Sequence, residues 1–147
     1  MAITLGALVL PSGLVWSDED AWSPVEQALD YTLTGALVVE ESVRLAGRPI
    51  TLAGKRSGNF YTAWVMRGQS FLGFSSLADV RAALSEAGAT FVLTLHDSRT
   101  FTVCPRRDGD GPLVVSPMPV FGDLQPTAPG SDHCYFVESI RLMEVPA

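Results

Sequence analysis

The sequence predicts a mainly β fold with one helix (α+β): an antiparallel β-sandwich or barrel with a flanking α-helix, forming a single domain over residues 1–147. Three observations predict it. Residues 75–88, SSLADVRAALSEAG, combine a helix start, an amphipathic period and a helix stop. Several other segments alternate apolar and polar side chains with period two, as half-buried strands do. The chain has 147 residues, of which 47% are hydrophobic and 18% charged, enough for one substantial core.

In chain order, Met1 to Leu10 reads as a strand ending at the Pro11-Ser12-Gly13 turn, with Leu14 to Trp16 as a short return. Ser17 to Pro24, SDEDAWSP, reads as a polar acidic loop carrying Trp22. Its Asp18, Glu19 and Asp20 lack the glycine and distal glutamate of a calcium loop, so a solvated turn is expected there. From Tyr31 to Glu41, Tyr31, Leu33, Leu37 and Val39 alternate with Thr32, Thr34, Ala36 and Glu40. That pattern reads as one long antiparallel strand with a solvated face, bulged or bent at Gly35.

After the turn Leu45-Ala46-Gly47, Pro49 is expected to begin a strand or occupy an edge, because it has no N–H to donate. Ile50 and Leu52 face one way and Thr51 the other. Ala53 to Asn59, AGKRSGN, reads as a flexible basic loop whose Lys55 and Arg56 do not make a nucleic-acid patch. Phe60 to Phe74 fits either strand or helix, with Gly68 and Gly73 interrupting it.

Ser76 is the expected N-cap of the helix, with Asp79 three residues on near the positive helix end. Leu77, Val80, Leu84 and Ala87 form the buried stripe and Gly88 the stop. In the following hairpin, Phe91, Leu93 and Leu95 alternate with Thr90, Val92, Thr94 and His96 up to the turn, and Phe101 and Val103 with Thr100, Thr102 and Cys104 after it. A two-residue turn would set Leu93 opposite Thr102. A three-residue turn, His96-Asp97-Ser98, sets Leu93 against Phe101 and Phe91 against Val103 on one face, so the longer turn is expected, with Ser98 in the left-handed region.

Arg106 to Gly130, rich in Pro and Gly, reads as a long connection with regular structure only at Leu113 to Val115. The last strand, Cys134 to Val145, is apolar on both faces: Phe136, Ile140 and Leu142 on one, Tyr135, Val137, Met143 and Val145 on the other. Such a strand is central, or its outer face meets another subunit, which makes Tyr135, Val137, Met143 and Val145 the subunit-interface candidates.

Ten basic against sixteen acidic residues give a net charge of −6, which argues against a protein that grips phosphate backbones. The N-terminal ITLGALVL is too short to span a bilayer and lacks a basic leader, so a cytoplasmic protein without membrane contact is expected. Cys104 and Cys134 fall on separate late strands and are expected to be thiols in a reducing compartment. His96 falls in a turn, so catalysis of the Ser-His-Asp or Cys-His kind would depend on His133. Asp132, His133 and Cys134 are adjacent and point in different directions, which suits a strand entrance better than a metal site. Asp18, Glu19, Glu40 and Glu41 could supply paired carboxylates only at a separation that sequence does not reveal. GDGP lacks the strand-to-helix context and the Lys-Ser/Thr of a phosphate loop. No catalytic residue, metal ligand or cofactor is assigned.

The order GRPITL at Gly47, Arg48, Pro49, Ile50, Thr51 and Leu52, then Trp64, a helix, TLHDSRTFTV at 94–103, Pro117 and a closing YFVESIRLMEV resembles a group of bacteriophage and prophage tail proteins. These are similar to distal tail, or baseplate-hub ring, proteins, whose β-sandwich with a flanking helix is shared with tail-tube proteins. The resemblance spans most of residues 31 to 145, with Phe91, Leu93, Phe101 and Val103 on its hairpin. Two departures mark this chain: Ser98 stands where the pattern favours Gly, and Cys104-Pro105 interrupts a hairpin strand. The resemblance implies a structural virion protein, not an enzyme. Copies would join as a ring, a homo-hexamer, that continues the tail tube, meets tube and tip proteins, and passes DNA as cargo. It would be assembled in the host cytoplasm. The competing expectation is a small-ligand or carbohydrate-binding β-sandwich using Trp16, Trp22 and Trp64 as stacking surfaces.

Overall fold

The computed structural model describes residues 3–11, 13–44, 47–57, 60–68, 70, 73–118 and 134–146. The strands are β1 (Ile3–Leu5), β2 (Leu8–Leu10), β3 (Val15–Trp16), β4 (Val25–Tyr31), β5 (Leu37–Val43), β6 (Pro49–Ala53), β7 (Arg56–Ser57), β8 (Phe60–Tyr61) and β9 (Trp64–Met66). Then come α1 (Leu77–Leu84), β10 (Phe91–Thr94), β11 (Thr100–Pro105), β12 (Leu113–Pro117) and β13 (Cys134–Glu144). This is the mainly β, antiparallel, single-helix architecture that the sequence predicts. Among the described residues, no helix is long and apolar enough to cross a membrane.

The main sheet runs β2-β1-β10-β11-β13-β6-β3, and β12 and β9 also pair with β13. Strand β13 is therefore the central strand. Its later half lies between β11 and β6, with Met143 opposite Cys104 on one side and Pro49 on the other. Its earlier half lies between β12 and β9, with Phe136 opposite Ser116 and Trp64. Both edges of β13 are thus paired within the chain, and Tyr135, Phe136, Val137, Ile140 and Leu142 are buried while Met143 is half-buried.

The faces differ from the expected alternation. Val114 pairs with Ser139 but Val115 pairs with Val137, so β13 spends one extra residue, Glu138, in a β-bulge. The bulge brings Tyr135 and Val137 into the same apolar cluster as Ile140 and Leu142. They do not share an outer face with Met143 and Val145.

The helix and hairpin follow the expected chemistry closely. Ser76 Oγ accepts from the Asp79 N–H at 3.3 Å, and Leu77, Val80 and Leu84 are buried. The helix ends at Leu84 with Ser85 as its cap, so Ala87 falls outside it and is exposed. Gly88, with φ of +73°, closes a separate turn beyond. In the hairpin, Phe91 pairs with Val103 and Leu93 with Phe101, the register of the three-residue turn. The Leu95 N–H donates to the Arg99 carbonyl at 2.9 Å, and Ser98 has φ of +72°. A left-handed serine costs about 1 kcal/mol relative to glycine. Ser98→Gly is therefore expected to raise Tm by about 2–4 °C, measured by calorimetry.

Two segments read as single strands are hairpins. Met1 to Leu10 splits at Gly6, whose φ is +60°, into β1 and β2, which pair Ile3 with Leu10 and Leu5 with Leu8. Tyr31 to Glu41 splits at residues 32–36, so that β4 and β5 pair Tyr31 with Leu37. Gly35 is not a bulge but the left-handed residue of that turn, with φ of +86° and its N–H donating to the Thr32 carbonyl at 2.9 Å. Within the expected basic loop, Arg56 and Ser57 form β7 and pair with β8. The connection after Arg106 does carry a strand, β12, as far as Pro117, while residues 119–133 lie outside the described residues.

Candidate functional site

Among the described residues, strands β4 and β5 pair only with each other, and every residue from Ser23 to Arg44 is exposed. They form a two-stranded arm that is left uncovered among the described residues. Because side chains alternate along a strand, one face carries Val25, Gln27, Leu29 and Tyr31 opposite Val43, Glu41, Val39 and Leu37. The other face carries Glu26, Ala28 and Asp30 opposite Ser42, Glu40 and Val38. One face is thus largely apolar and the other acidic. Tyr31 is 70% exposed, Leu29 60%, and Leu33 at the tip fully exposed. Gln27 Nε2 donates to Glu41 Oε1 at 2.6 Å across the apolar face.

The root of the arm is closed by the Arg44 N–H, which donates to the Pro24 carbonyl at 2.6 Å. Next to it, the Arg48 guanidinium lies 4.6 Å from the Trp16 ring centroid and 5.8 Å from that of Trp22. Arg48 Nη2 also donates to the Glu19 carbonyl at 2.9 Å. Arg99 adds a second cation 5.6 Å from Trp16, and its Nη1 meets Glu19 Oε1 at 2.5 Å. The Glu19 carboxylate, with Asp97 on its other side, holds the Arg99 guanidinium above its ordinary range. These contacts tie the acidic loop, the β10–β11 turn and the start of β6 together under the arm. Trp16 Nε1, Trp22 Nε1 and Arg48 Nε are buried there with no acceptor among the described residues.

Arg48→Ala removes both stacking contacts, each worth about 0.5–2 kcal/mol. It is expected to lower Tm by about 4–8 °C and shift the tryptophan emission. Arg48→Lys should recover only part of this loss, because a compact ammonium does not stack as a planar guanidinium does.

A pocket of about 340 Å3 opens beside the root, lined by Trp22, Arg44, Gly47, Pro49, Arg106, Asp108 and Met143. A hydrogen bond from Arg106, with Arg141 nearby, holds the Asp108 carboxyl below the usual aspartate range.

Of the subunit-interface candidates, Tyr135 and Val137 are 8% and 2% exposed in the chain's own core, so they offer nothing to a neighbour. Met143 and Val145 remain half-buried. The motif residues are mainly structural. Gly47 adopts φ of +94°, Pro49 starts β6, and Ile50 and Leu52 are fully buried. Trp64 is half-buried in β9, and Phe91, Leu93, Phe101 and Val103 share a face. Arg48 is the exception, since it clamps the arm root.

The residues weighed for chemistry do not converge. Both Asp18 carboxylate oxygens are taken by Thr51, from its N–H at 3.0 Å and its hydroxyl at 2.9 Å. Glu40 and Glu41 point to opposite faces of the arm. His96 is exposed in its turn, and Asp132 and His133 lie outside the described residues. Cys104 and Cys134 are half-buried free thiols on β11 and β13, and burial pushes the Cys134 thiol up. Among the described residues, no three His, Cys, Asp or Glu side chains gather as metal ligands.

The arm is the feature that sequence reasoning missed. Its five-residue turn leaves the odd-numbered apolar residues in phase, and Leu33 continues their alternation through the tip. The Thr-Leu-Thr-Gly composition of residues 32–35 is the available signal. Comparison with protein-family models, curated proteins and solved structures finds no match for the chain.

Proposed function

We propose that the chain is a structural subunit of a phage tail. Six copies join as a ring at the distal tail or baseplate, continue the tail tube and connect it to tip proteins. The observation that carries this reading is the arm. An isolated two-stranded hairpin is marginal in water, and this one exposes a contiguous apolar face along both strands. Such a face calls for another chain. An arm that docks on a different part of the neighbouring copy repeats head to tail, and a head-to-tail contact that closes makes a ring.

The motif order from Gly47 to Val145 supports the tail assignment through its resemblance to tail proteins. The net charge of −6 suits a tube through which DNA passes without being held. The virion tail is then its location, reached by assembly in the host cytoplasm. The carbohydrate reading gains no support from Trp16 and Trp22, whose rings Arg48 occupies. Negative-stain imaging with light scattering tests the proposal, using the purified chain alone and mixed with the products of the neighbouring genes. Rings, or incorporation into tail particles, are expected. A monomer that joins neither overturns the reading.

A further inference from the structure

We propose that the arm of one copy docks on the β7–β8 corner of a second copy, with Phe60 on the Leu29–Val39 pair and Lys55 against Glu41. The inference rests on the self-assembling reading above and names its contact surface. Charge distribution points to this corner. The arm carries Glu26, Asp30, Glu40 and Glu41 against Arg44 alone. Between Arg44 and Asp79 the chain has four basic residues, Arg48, Lys55, Arg56 and Arg67, and no acidic one. Outside the arm, the exposed large apolar residues among those described are Val15, Phe60 and Val92. Phe60 is the largest and the most exposed, at 71%, and the one within the acid-free segment.

The corner's geometry matches the arm. Arg56 pairs with Tyr61 and Ser57 with Phe60. The pairing continues to Lys55 and Thr62, where the Thr62 N–H donates to the Lys55 carbonyl at 3.0 Å. Alternation then puts Lys55, Ser57, Phe60 and Thr62 on one face. Arg56 and Tyr61 take the other, with Arg56 5.3 Å over the Tyr61 ring and Tyr61 against Phe136 at 5.1 Å. The outward face is therefore an exposed phenyl ring with an ammonium beside it.

Lys55 stands two residues from Ser57, the partner of Phe60, a separation of about 6.6 Å along the strand. Glu41 stands two residues from Val39, the partner of Leu29, at the same separation. With Lys55 at Glu41, Phe60 falls on the Leu29–Val39 pair. Tyr31 and Leu37 flank it on one side, and the small Ser57 and Thr62 leave it room.

A charge swap read by sedimentation velocity or light scattering on the full chain tests the docking. Glu41→Lys and Lys55→Glu are each expected to weaken self-association about tenfold, by placing like charges together. The double variant is expected to return to within about threefold of wild type. Phe60→Asp, which puts a charge on the apolar pair, is expected to weaken association about a hundredfold. All three positions are exposed, so circular dichroism and Tm should stay at wild-type values. If wild type assembles but the double variant fails to recover, or Phe60→Asp assembles normally, the docking is wrong and the tail reading survives. If wild type stays monomeric, self-docking is overturned, and entry into tail particles then decides the tail reading separately.

Discussion

Replacing residues 25–43 by a two-residue Gly-Ser turn between Pro24 and Arg44 is expected to abolish self-association and tail incorporation while leaving the body folded. The ends of the arm are already joined by the 2.6 Å bond from the Arg44 N–H to the Pro24 carbonyl, so the shorter loop closes without moving β6. No arm residue belongs to the apolar cluster that runs from Ile3 to Leu142. Its removal deletes exposed surface and no core contact. Tm should stay within about 4 °C of wild type, because about 1 kcal/mol shifts a domain of this size by 2–4 °C. The urea m-value should fall little, since m follows the area exposed on unfolding and the arm is exposed in both states. Solubility should rise as the apolar face of Leu29, Tyr31, Leu37 and Val39 disappears. A steep loss of Tm would instead make the arm part of the body's fold. An unchanged oligomer would remove it from the assembly.

What could be read in advance followed from how each turn treats the strand period. At residues 94–100, Asp97 and Ser98 are turn formers set into an otherwise apolar alternation, and the register followed from matching Phe91 to Val103. At Gly6-Ala7 the two-residue turn flips the phase, so that Ile3 and Leu5 are odd while Leu8 and Leu10 are even. The sequence carries that break, since a single strand would send the two pairs to opposite faces, yet reading Met1 to Leu10 as one strand passed over it. In the arm no break exists. Tyr31 and Leu37 are both odd, Leu33 fills the position between them, and the alternation runs through the reversal. Burial was illegible there for a different reason: an apolar face made for another chain has the same pattern as one made for the chain's own core. The clamp was equally hidden, since Trp16, Trp22 and Arg48 come from three segments and no local spacing links them.

Deleting Glu138 is expected to unfold the chain or cost it more than about 4 kcal/mol, although the Glu138 side chain is exposed. The reason is parity. In β13 the bulge at Glu138 lets Ile140 and Leu142 point into the same cluster as Tyr135 and Val137. Without the extra residue, strict alternation forces one pair out when the other faces in, because a one-residue slip exchanges the faces of a strand. Tyr135 and Val137, at 8% and 2% exposure, would exchange places with the residues between them, or β12 and β9 would have to detach. The bulge is also held from outside. The Gly54 N–H donates to the Glu138 carbonyl at 3.1 Å, and a Cβ on Gly54 would stand 2.3 Å from the Val137 carbonyl oxygen. The backbone of the corner after β6 thus packs directly on the bulge and leaves no room to absorb a shift. Glu138→Ala is the control. It keeps the residue count and loses only a 3.4 Å contact with the Ser116 hydroxyl, so its Tm is expected to stay within about 2 °C of wild type. A deletion variant as stable as Glu138→Ala in chemical unfolding would show that β13 tolerates either phase, and the bulge would lose its role in building the core.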